Sequence, residues 1–229
     1  MEKWQKDMQK CIKKPEELAK KFPQIDFNSL RNVVSIFPMR ITPYYYDLIQ
    51  NLDDPIFKQA VPDEKELQDF SGVPDPLSEE EQSPVPCLVH RYPDRALLMV
   101  TNLCAVYCRF CTRKRLVGKK AIRKEDIKKG IKYISENKSI REVIISGGDP
   151  LILSNEILEG ILKELRKIEH IEVIRIGSRM VCTLPSRITS NLCKILKKYH
   201  PIYLNTHFNH PDELTEEAKN ALEMLADSG

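Results

Sequence analysis

The sequence lacks long apolar runs and carries little net charge. No stretch of about 18 consecutive apolar residues occurs in the 229-residue chain, so no segment predicts a membrane-spanning helix. The 36 basic and 33 acidic residues leave a formal net charge of +3, too small by itself to indicate a nucleic-acid partner. The first residues, MEKWQKDMQKCIKK, lack the apolar core of a secretory signal. We therefore expect a cytoplasmic protein.

Aromatic residues are also scarce, at 7% of the chain, and this bears on its most basic stretch. Residues 113–129, RKRLVGKKAIRKEDIKK, concentrate positive charge but contain no aromatic side chain on which bases could stack. Contact with RNA is one interpretation of this stretch, and a solvated helix face is the simpler one. We expect neither nucleic acid nor a membrane as a partner.

Cysteine, in contrast, is abundant and clustered. Three of the seven cysteines fall in CAVYCRFC, as Cys104, Cys108 and Cys111. In a reducing compartment such clusters indicate metal binding or catalysis rather than disulfides. Spacings of three and then two residues place the thiolates in one loop, where they can hold a cuboidal [4Fe–4S] cluster by three corners and leave one iron open. The alternative is a zinc site completed by a histidine. The remaining cysteines are isolated from one another: Cys11, Cys87, Cys182 and Cys193.

Two regions differ in pattern. Residues 1–90 predict a mostly helical and irregular N-terminal extension, because prolines interrupt its short helical patterns. Within it, residues 72–86 predict irregular chain on an outer surface, with a solvated linker as the simplest interpretation. Residues 91–229 alternate apolar strands with amphipathic helices as four βα units. Such alternation predicts an α/β fold with a parallel sheet, a partial (β/α) barrel that is incomplete in this chain.

The distinctive residues follow the ends of the predicted strands. The cysteines follow the first strand, and the second, third and fourth strands are followed by SGGD, GSR and NTHFNH. Glycines at a strand end let the backbone approach a ligand closely, and Asp149 can accept a hydrogen bond from an ammonium group. Taken alone, SGGD is a common turn. Because functional groups of such folds collect at the carboxyl ends of the strands, the sequence locates a site there.

The cysteine loop followed by SGGD resembles the radical S-adenosylmethionine (radical SAM) superfamily. A wider set of segments resembles the N-terminal portion of the lysine 2,3-aminomutase family: FPMRITPYY, HRYPDRALLMVTNLCAVYCRFCTRKR, SGGDPLILS, LPSRIT and YHPIYLNTHFNHPDELTEEAKNALEMLADSG. The resemblance covers nearly all of the chain from about residue 30. It implies a radical SAM barrel with a [4Fe–4S] cluster, S-adenosylmethionine and pyridoxal phosphate. It also implies an isomerase in which a 5′-deoxyadenosyl radical drives migration of an amino acid's α-amino group to Cβ.

The resemblance also assigns roles to single residues. It implies that Cys104, Cys108 and Cys111 bind the cluster, and that Arg113 holds the substrate α-carboxylate, for which a planar guanidinium is suited. The implied S-adenosylmethionine contacts are Ser146, Gly147, Gly148, Asp149, Asn205 and His207. The implied pyridoxal phosphate contacts are Arg91, Tyr92 and Arg95. His210 is more simply a structural histidine, and no residue of the chain is assigned as catalytic.

Members of the resembled family continue beyond the point corresponding to Gly229. The lysine that anchors pyridoxal phosphate, and the acidic residues that bind the substrate side chain, lie in that portion, so we expect a truncated chain or a second polypeptide. The resemblance further implies a homo-oligomer and an electron donor such as flavodoxin or ferredoxin. Two alternatives stay open: a protein that binds the cluster and S-adenosylmethionine without mutase activity, and a non-catalytic iron–sulfur or zinc module.

Overall fold

A computed structural model describes residues 1–119 and 121–229; Lys120, within the basic stretch, lies outside the described residues. Within these residues five strands form one sheet, ordered β1-β2-β3-β4-β5. The strands are Leu88–Tyr92 (β1), Arg95–Thr101 (β2), Glu142–Gly147 (β3), Val173–Gly177 (β4) and Ile202–Asn205 (β5). Strands β2 to β5 run parallel, as the alternating pattern predicts. Their carboxyl ends therefore meet at one edge of the sheet.

Helices connect and cover the parallel strands. They are Lys124–Glu136 (α5), Asn155–Arg166 (α6), Met180–Thr183 (α7), Ser190–Lys198 (α8) and Glu216–Ala226 (α9), numbered after four helices of the extension. Helix α9 begins where its sequence predicts, because the Thr215 hydroxyl accepts a hydrogen bond from the backbone of Ala218 at 3.2 Å. The two middle parallel strands, β3 and β4, carry apolar side chains that the helices and loops bury: Val143, Ile145, Ile174 and Ile176 have no exposed surface. The four predicted βα units and the open, partial α/β barrel are confirmed.

Strand β1 is not predicted by the sequence, which places residues up to 90 in a helical and irregular extension. It pairs antiparallel with β2, with Leu88 opposite Leu98 and Tyr92 opposite Arg95. The strand is short and lies between Pro86 and Pro93, so its own pattern is too weak to reveal it. The strand forms because a tight hairpin folds residues 88–92 against β2. As a result β1 covers one edge of the parallel sheet, and β5 forms the other edge of the described sheet.

The N-terminal extension builds a second apolar core against the barrel. Its helices are Lys3–Gln9 (α1), Phe27–Ile36 (α2), Pro43–Leu48 (α3) and Pro55–Ala60 (α4). Leu18, Ile41, Tyr45, Ile49 and Ile56 are fully buried in this core, which Val106 and Cys182 of the barrel join. Trp4, in contrast, packs into the core of the barrel. No helix in the described part of the chain combines the length and apolar character needed to cross a membrane.

Candidate functional site

A cavity of about 370 Å³ opens at the carboxyl ends of the parallel strands. Loops that follow β2, β3, β4 and β5 form its walls. Every residue predicted to bind the cluster or S-adenosylmethionine lines it: Cys104, Cys108, Cys111, Ser146, Gly147, Gly148, Asp149, Asn205 and His207. The parallel topology therefore brings all of these predicted residues into one space.

The extension holds the cysteine loop in place. The backbone amide of Tyr107 donates to the Arg40 carbonyl at 2.9 Å, and that of Arg109 donates to the Gln59 carbonyl at 2.8 Å. The Arg109 guanidinium also pairs with Glu66, with 2.6 Å between Nη2 and Oε2. Residues 104–111 make few regular backbone pairings of their own. Their shape therefore depends on contacts that are remote in sequence.

The three thiols are partly shielded from solvent and lie close enough to influence one another's ionisation. Burial raises the pKa of Cys104, Cys108 and Cys111. The charges of Asp149 and of the other two cysteines raise that of Cys104 further, whereas Arg179 opposes the shift at Cys108. Such a set fits a bound cationic metal group, which would stabilise the thiolates.

The geometry of the thiols bears on which metal group fits. No three His, Cys, Asp or Glu side chains among residues 1–119 and 121–229 converge as the ligands of one metal ion do. A cuboidal cluster has a different requirement, because each thiolate binds a different iron corner. All three thiols line one cavity, and their assignment as ligands of such a cluster stays a prediction. Of the remaining cysteines, Cys182 and Cys193 are buried in the two apolar cores.

The SGGD turn packs tightly against the cysteine loop. Gly147 has a φ of 112°, and a Cβ there would lie 2.4 Å from the carbonyl oxygen of Thr101. A Cβ on Gly148 would lie 2.3 Å from the carbonyl oxygen of Leu103, the residue before Cys104. The sequence predicts that these glycines let the backbone approach a ligand closely. Both line the cavity, but their missing side chains first make room for the backbone that carries the cysteines.

Asp149 ties two of the loops together. It is 5% exposed, and its carboxylate accepts hydrogen bonds from the Ser178 hydroxyl at 2.7 Å and the Arg179 amide at 2.8 Å. It also accepts from the Leu151 amide at 3.1 Å. Burial raises the pKa of this carboxyl. The structure thus gives Asp149 a role in fixing the loops after β3 and β4, while its contact with an ammonium group stays a prediction.

Arg179 is a residue of the site to which sequence reasoning assigned no role. Its Nη1 donates to the Cys108 sulfur at 3.1 Å, and its Nη2 donates to Glu213 Oε1 at 2.5 Å. The same Nη2 lies within hydrogen-bond distance of Gln59 Oε1 at 2.6 Å and Tyr45 Oη at 3.1 Å. The available signal was its position in GSR, directly after the third parallel strand. Its partners come from the extension and the loop after β5, and no sequence pattern connects these segments.

The residues predicted to hold pyridoxal phosphate line a second cavity. Arg91, Tyr92 and Arg95 bound a space of about 250 Å³ beside the β1–β2 hairpin. Arg113, the predicted carboxylate ligand, lines both this cavity and the cysteine cavity. It therefore lies where a molecule held in one cavity can face a molecule held in the other.

An acidic segment restrains Arg113. Glu79 is 5% exposed, and its carboxylate accepts from Arg113 Nε at 2.9 Å and Nη2 at 2.6 Å. Arg115 pairs with Asp75 at 2.8 Å, and Lys114 pairs with Glu66. Segment 72–86 is irregular, as predicted, but it is not a solvated linker at Glu79. The start of the basic stretch is likewise paired with acidic side chains rather than free in solvent.

The two histidines after β5 differ in position. The His207 ring lies 6.2 Å from that of Phe110, and both line the cysteine cavity. Burial lowers the pKa of His207, and the neighbouring Arg179 lowers it further. His210 caps a short turn, where its Nδ1 accepts from the backbone of Asp212 at 3.4 Å. This agrees with the simpler, structural interpretation of His210.

Comparison with known proteins finds relatives over almost the whole chain. It is similar to the L-lysine 2,3-aminomutase of Methanococcus maripaludis, with 53% identity over 215 residues covering 91% of this chain and 49% of that protein. The L-lysine 2,3-aminomutase of Clostridium subterminale is 47% identical over 233 residues, covering 99% and 56%. The glutamate 2,3-aminomutase of Clostridioides difficile is 45% identical over 204 residues, covering 87% and 48%. The chain spans about half the length of the curated relatives it matches.

A family model gives the broader assignment. Residues 98–227 match the Radical SAM superfamily, a span that begins in β2 and takes in the cysteine loop, the SGGD turn and β5. More than half of the chain lies in this match, and the elements that build the cysteine cavity lie inside it. The chain therefore belongs to the radical SAM superfamily.

Proposed function

We propose that this chain carries the cluster- and S-adenosylmethionine-binding part of an amino-acid 2,3-aminomutase. The observation that carries the proposal is the position of Arg113, which lines both the three-cysteine cavity and the cavity of Arg91, Tyr92 and Arg95. A radical generated in the first cavity must reach an amino acid bound at the second. A guanidinium on the shared wall suits the carboxylate of that amino acid.

In the first cavity we assign three thiolate ligands and a set of polar walls. Cys104, Cys108 and Cys111 would hold a [4Fe–4S] cluster by three corners, with Ser146, Gly147, Gly148, Asp149, Asn205 and His207 around the S-adenosylmethionine. When bound, the two groups together supply a 5′-deoxyadenosyl radical. The chain's own part is to orient these groups through loops that Asp149 and Arg179 lock together. His207, whose pKa is lowered by burial and by the neighbouring Arg179, lies on the wall of the same cavity.

In the second cavity we assign a phosphate-binding corner for pyridoxal phosphate. Arg91 and Arg95 both lie against the Tyr92 ring, at 5.8 and 5.7 Å from its centroid. Two guanidinium groups beside one aromatic ring suit an anion such as a phosphate. Arg95 Nε also lies 3.0 Å from Glu142 Oε1, an ion pair that holds this arginine beside the cavity.

The substrate class is a free amino acid, and lysine is the candidate because relatives named L-lysine 2,3-aminomutase are among the most similar. The relative named glutamate 2,3-aminomutase keeps glutamate as the alternative. The proposed partners are a low-potential one-electron donor of the flavodoxin or ferredoxin type and further copies of the same chain.

The test is anaerobic reconstitution with iron and sulfide, followed by metal analysis, electron paramagnetic resonance and calorimetry with S-adenosylmethionine. We expect a brown protein with close to four irons per chain, which converts lysine to β-lysine in its full-length form with pyridoxal phosphate and a reductant. A colourless protein that holds one zinc would refute the proposal. A brown protein that cleaves S-adenosylmethionine but leaves both amino acids unchanged would limit the function to radical generation.

A further inference from the structure

Arg179 places a buried cation on one of the three cysteines of the site. Its side chain is 7% exposed, and its Nη1 lies 3.1 Å from the Cys108 sulfur. The guanidinium also lies 5.5 Å from the ring centroid of Phe110, which lines the same cavity. A cation this close to a sulfur interacts with it strongly, because little water is present to screen the charge.

The guanidinium cannot easily move away from the sulfur. Its Nη2 is bound by Glu213, a carboxylate with no exposed surface, and its backbone amide donates to Asp149 at 2.8 Å. Glu213 is itself fixed, since the Tyr45 hydroxyl donates to it at 2.6 Å and the Asn209 amide donates to it at 2.6 Å. Arg179 is thus anchored by the loops after β3 and β5, with Tyr45 and Gln59 of the extension also bound at its Nη2, and its Nη1 faces the Cys108 sulfur.

We propose that Arg179 sets the reduction potential of the cluster bound through Cys108. This inference rests on the proposed cluster site. The step concerned is transfer of one electron from a low-potential donor to the cluster, with no covalent bond formed or broken. Reduction adds one negative charge, and both the nearby cation and the N–H donor to the sulfur stabilise that charge. Arg179 therefore raises the potential and makes the cluster easier to reduce.

The test must separate this effect from loss of folding. Removing Arg179 alone would leave Glu213 buried without its partner, a change that strongly destabilises proteins. The double variant Arg179→Gln/Glu213→Gln avoids this and is compared with Glu213→Gln alone, so that the two differ only in the arginine. Arg175→Gln, on β4 and paired with Glu142, serves as the control for loss of a cation away from the sulfur.

The readout is the midpoint potential of the reconstituted full-length protein, followed by electron paramagnetic resonance in a redox titration, with iron content measured beside it. We expect the double variant to load iron like Glu213→Gln but to show at least a tenfold lower ratio of reduced to oxidised cluster at a given potential. For one electron that is a shift of about 59 mV to more negative values. Arg179→Lys, which keeps the charge without the planar fork, should shift less and serves if the double variant does not fold. Arg175→Gln should leave the potential unchanged.

Equal potentials in the double variant and Glu213→Gln would overturn the inference. So would unchanged potentials together with weaker binding of S-adenosylmethionine, because Arg179 would then serve that ligand rather than the cluster. Failure of the proposed function looks different: the unmodified protein would hold no iron–sulfur cluster at all.

Discussion

The pairing of Glu79 with Arg113 is the contact through which the irregular segment 72–86 acts on the site. Replacing Glu79 by Gln keeps the side chain's shape and removes its charge. The carboxylate is 5% exposed and binds Arg113 through Nε and Nη2, and Arg115 Nη2 lies 3.5 Å away. Breaking a buried pair by removing one partner costs about 3–5 kcal/mol. Because the Arg113 side chain keeps 15% of its exposure, we expect the lower end, about 3 kcal/mol.

The adjacent residue provides a matched control. Glu80 also contacts an arginine, Arg115, at 3.0 Å, but its side chain is 71% exposed. Exposed pairs contribute about 0.2–1 kcal/mol, so Glu80→Gln should have little effect. Both variants remove one arginine-bound carboxylate from the same segment, one buried and one exposed.

Urea unfolding of the two variants, followed by circular dichroism, measures the difference. With a slope of about 2.5 kcal/mol per M, Glu79→Gln should lower the midpoint by about 1.2 M and Glu80→Gln by less than about 0.4 M. A double-mutant cycle with Arg113→Gln should give a coupling energy of about 0.5–3 kcal/mol for the Glu79–Arg113 pair. Equal shifts for the two glutamates, or no coupling, would show that segment 72–86 does not hold Arg113.

Three further predictions concern the site and its support. Cys108→Ala should abolish cluster loading and Cys193→Ala should not, as measured by bound iron; full loading in Cys108→Ala would contradict the ligand assignment. Gly148→Ala should reduce iron loading as well as S-adenosylmethionine affinity, since its Cβ would meet the backbone beside the cysteine loop, whereas Gly160→Ala, with nothing within 4 Å, should leave both unchanged. Burial acts to raise the pKa of Glu66, but hydrogen bonds from basic side chains lower it below its usual 4.5. Its stabilising contribution is therefore present above pH 4.5 and lost as the pH falls through the lower, folded-state pKa. The free energy of unfolding of Glu66→Gln should accordingly fall less steeply than that of the unmodified protein as the pH is lowered.

The barrel elements could be read from the sequence because their signals are local. Strands such as 142–147 are short apolar runs, and helices such as α6 repeat apolar residues at helical spacing, so burial and periodicity predict both. Strand β1 could not be read in this way. It exists because a hairpin folds residues 88–92 onto β2, and pairing with an existing strand decides what a short mixed segment does.

The functional site, too, has features that the sequence predicts and features that depend on tertiary packing. The cysteine spacing predicts a three-thiolate loop because ligands close in sequence stay close in space, and parallel topology then predicts which strand ends face it. The SGGD sequence predicts close approach of a ligand to these glycines, which stays a prediction; their close approach to Thr101 and Leu103 could not be predicted, since it depends on how two loops pack.

By itself, the sequence determined the cysteine spacing, the alternation of strands and helices, and the family these indicate. Only the tertiary structure decided which charges meet. Glu79 reaches Arg113 across 34 positions and Arg179 reaches Cys108 across 71, both through buried contacts. A buried charge needs a partner of opposite sign, but which partner it finds depends on packing that no local pattern encodes.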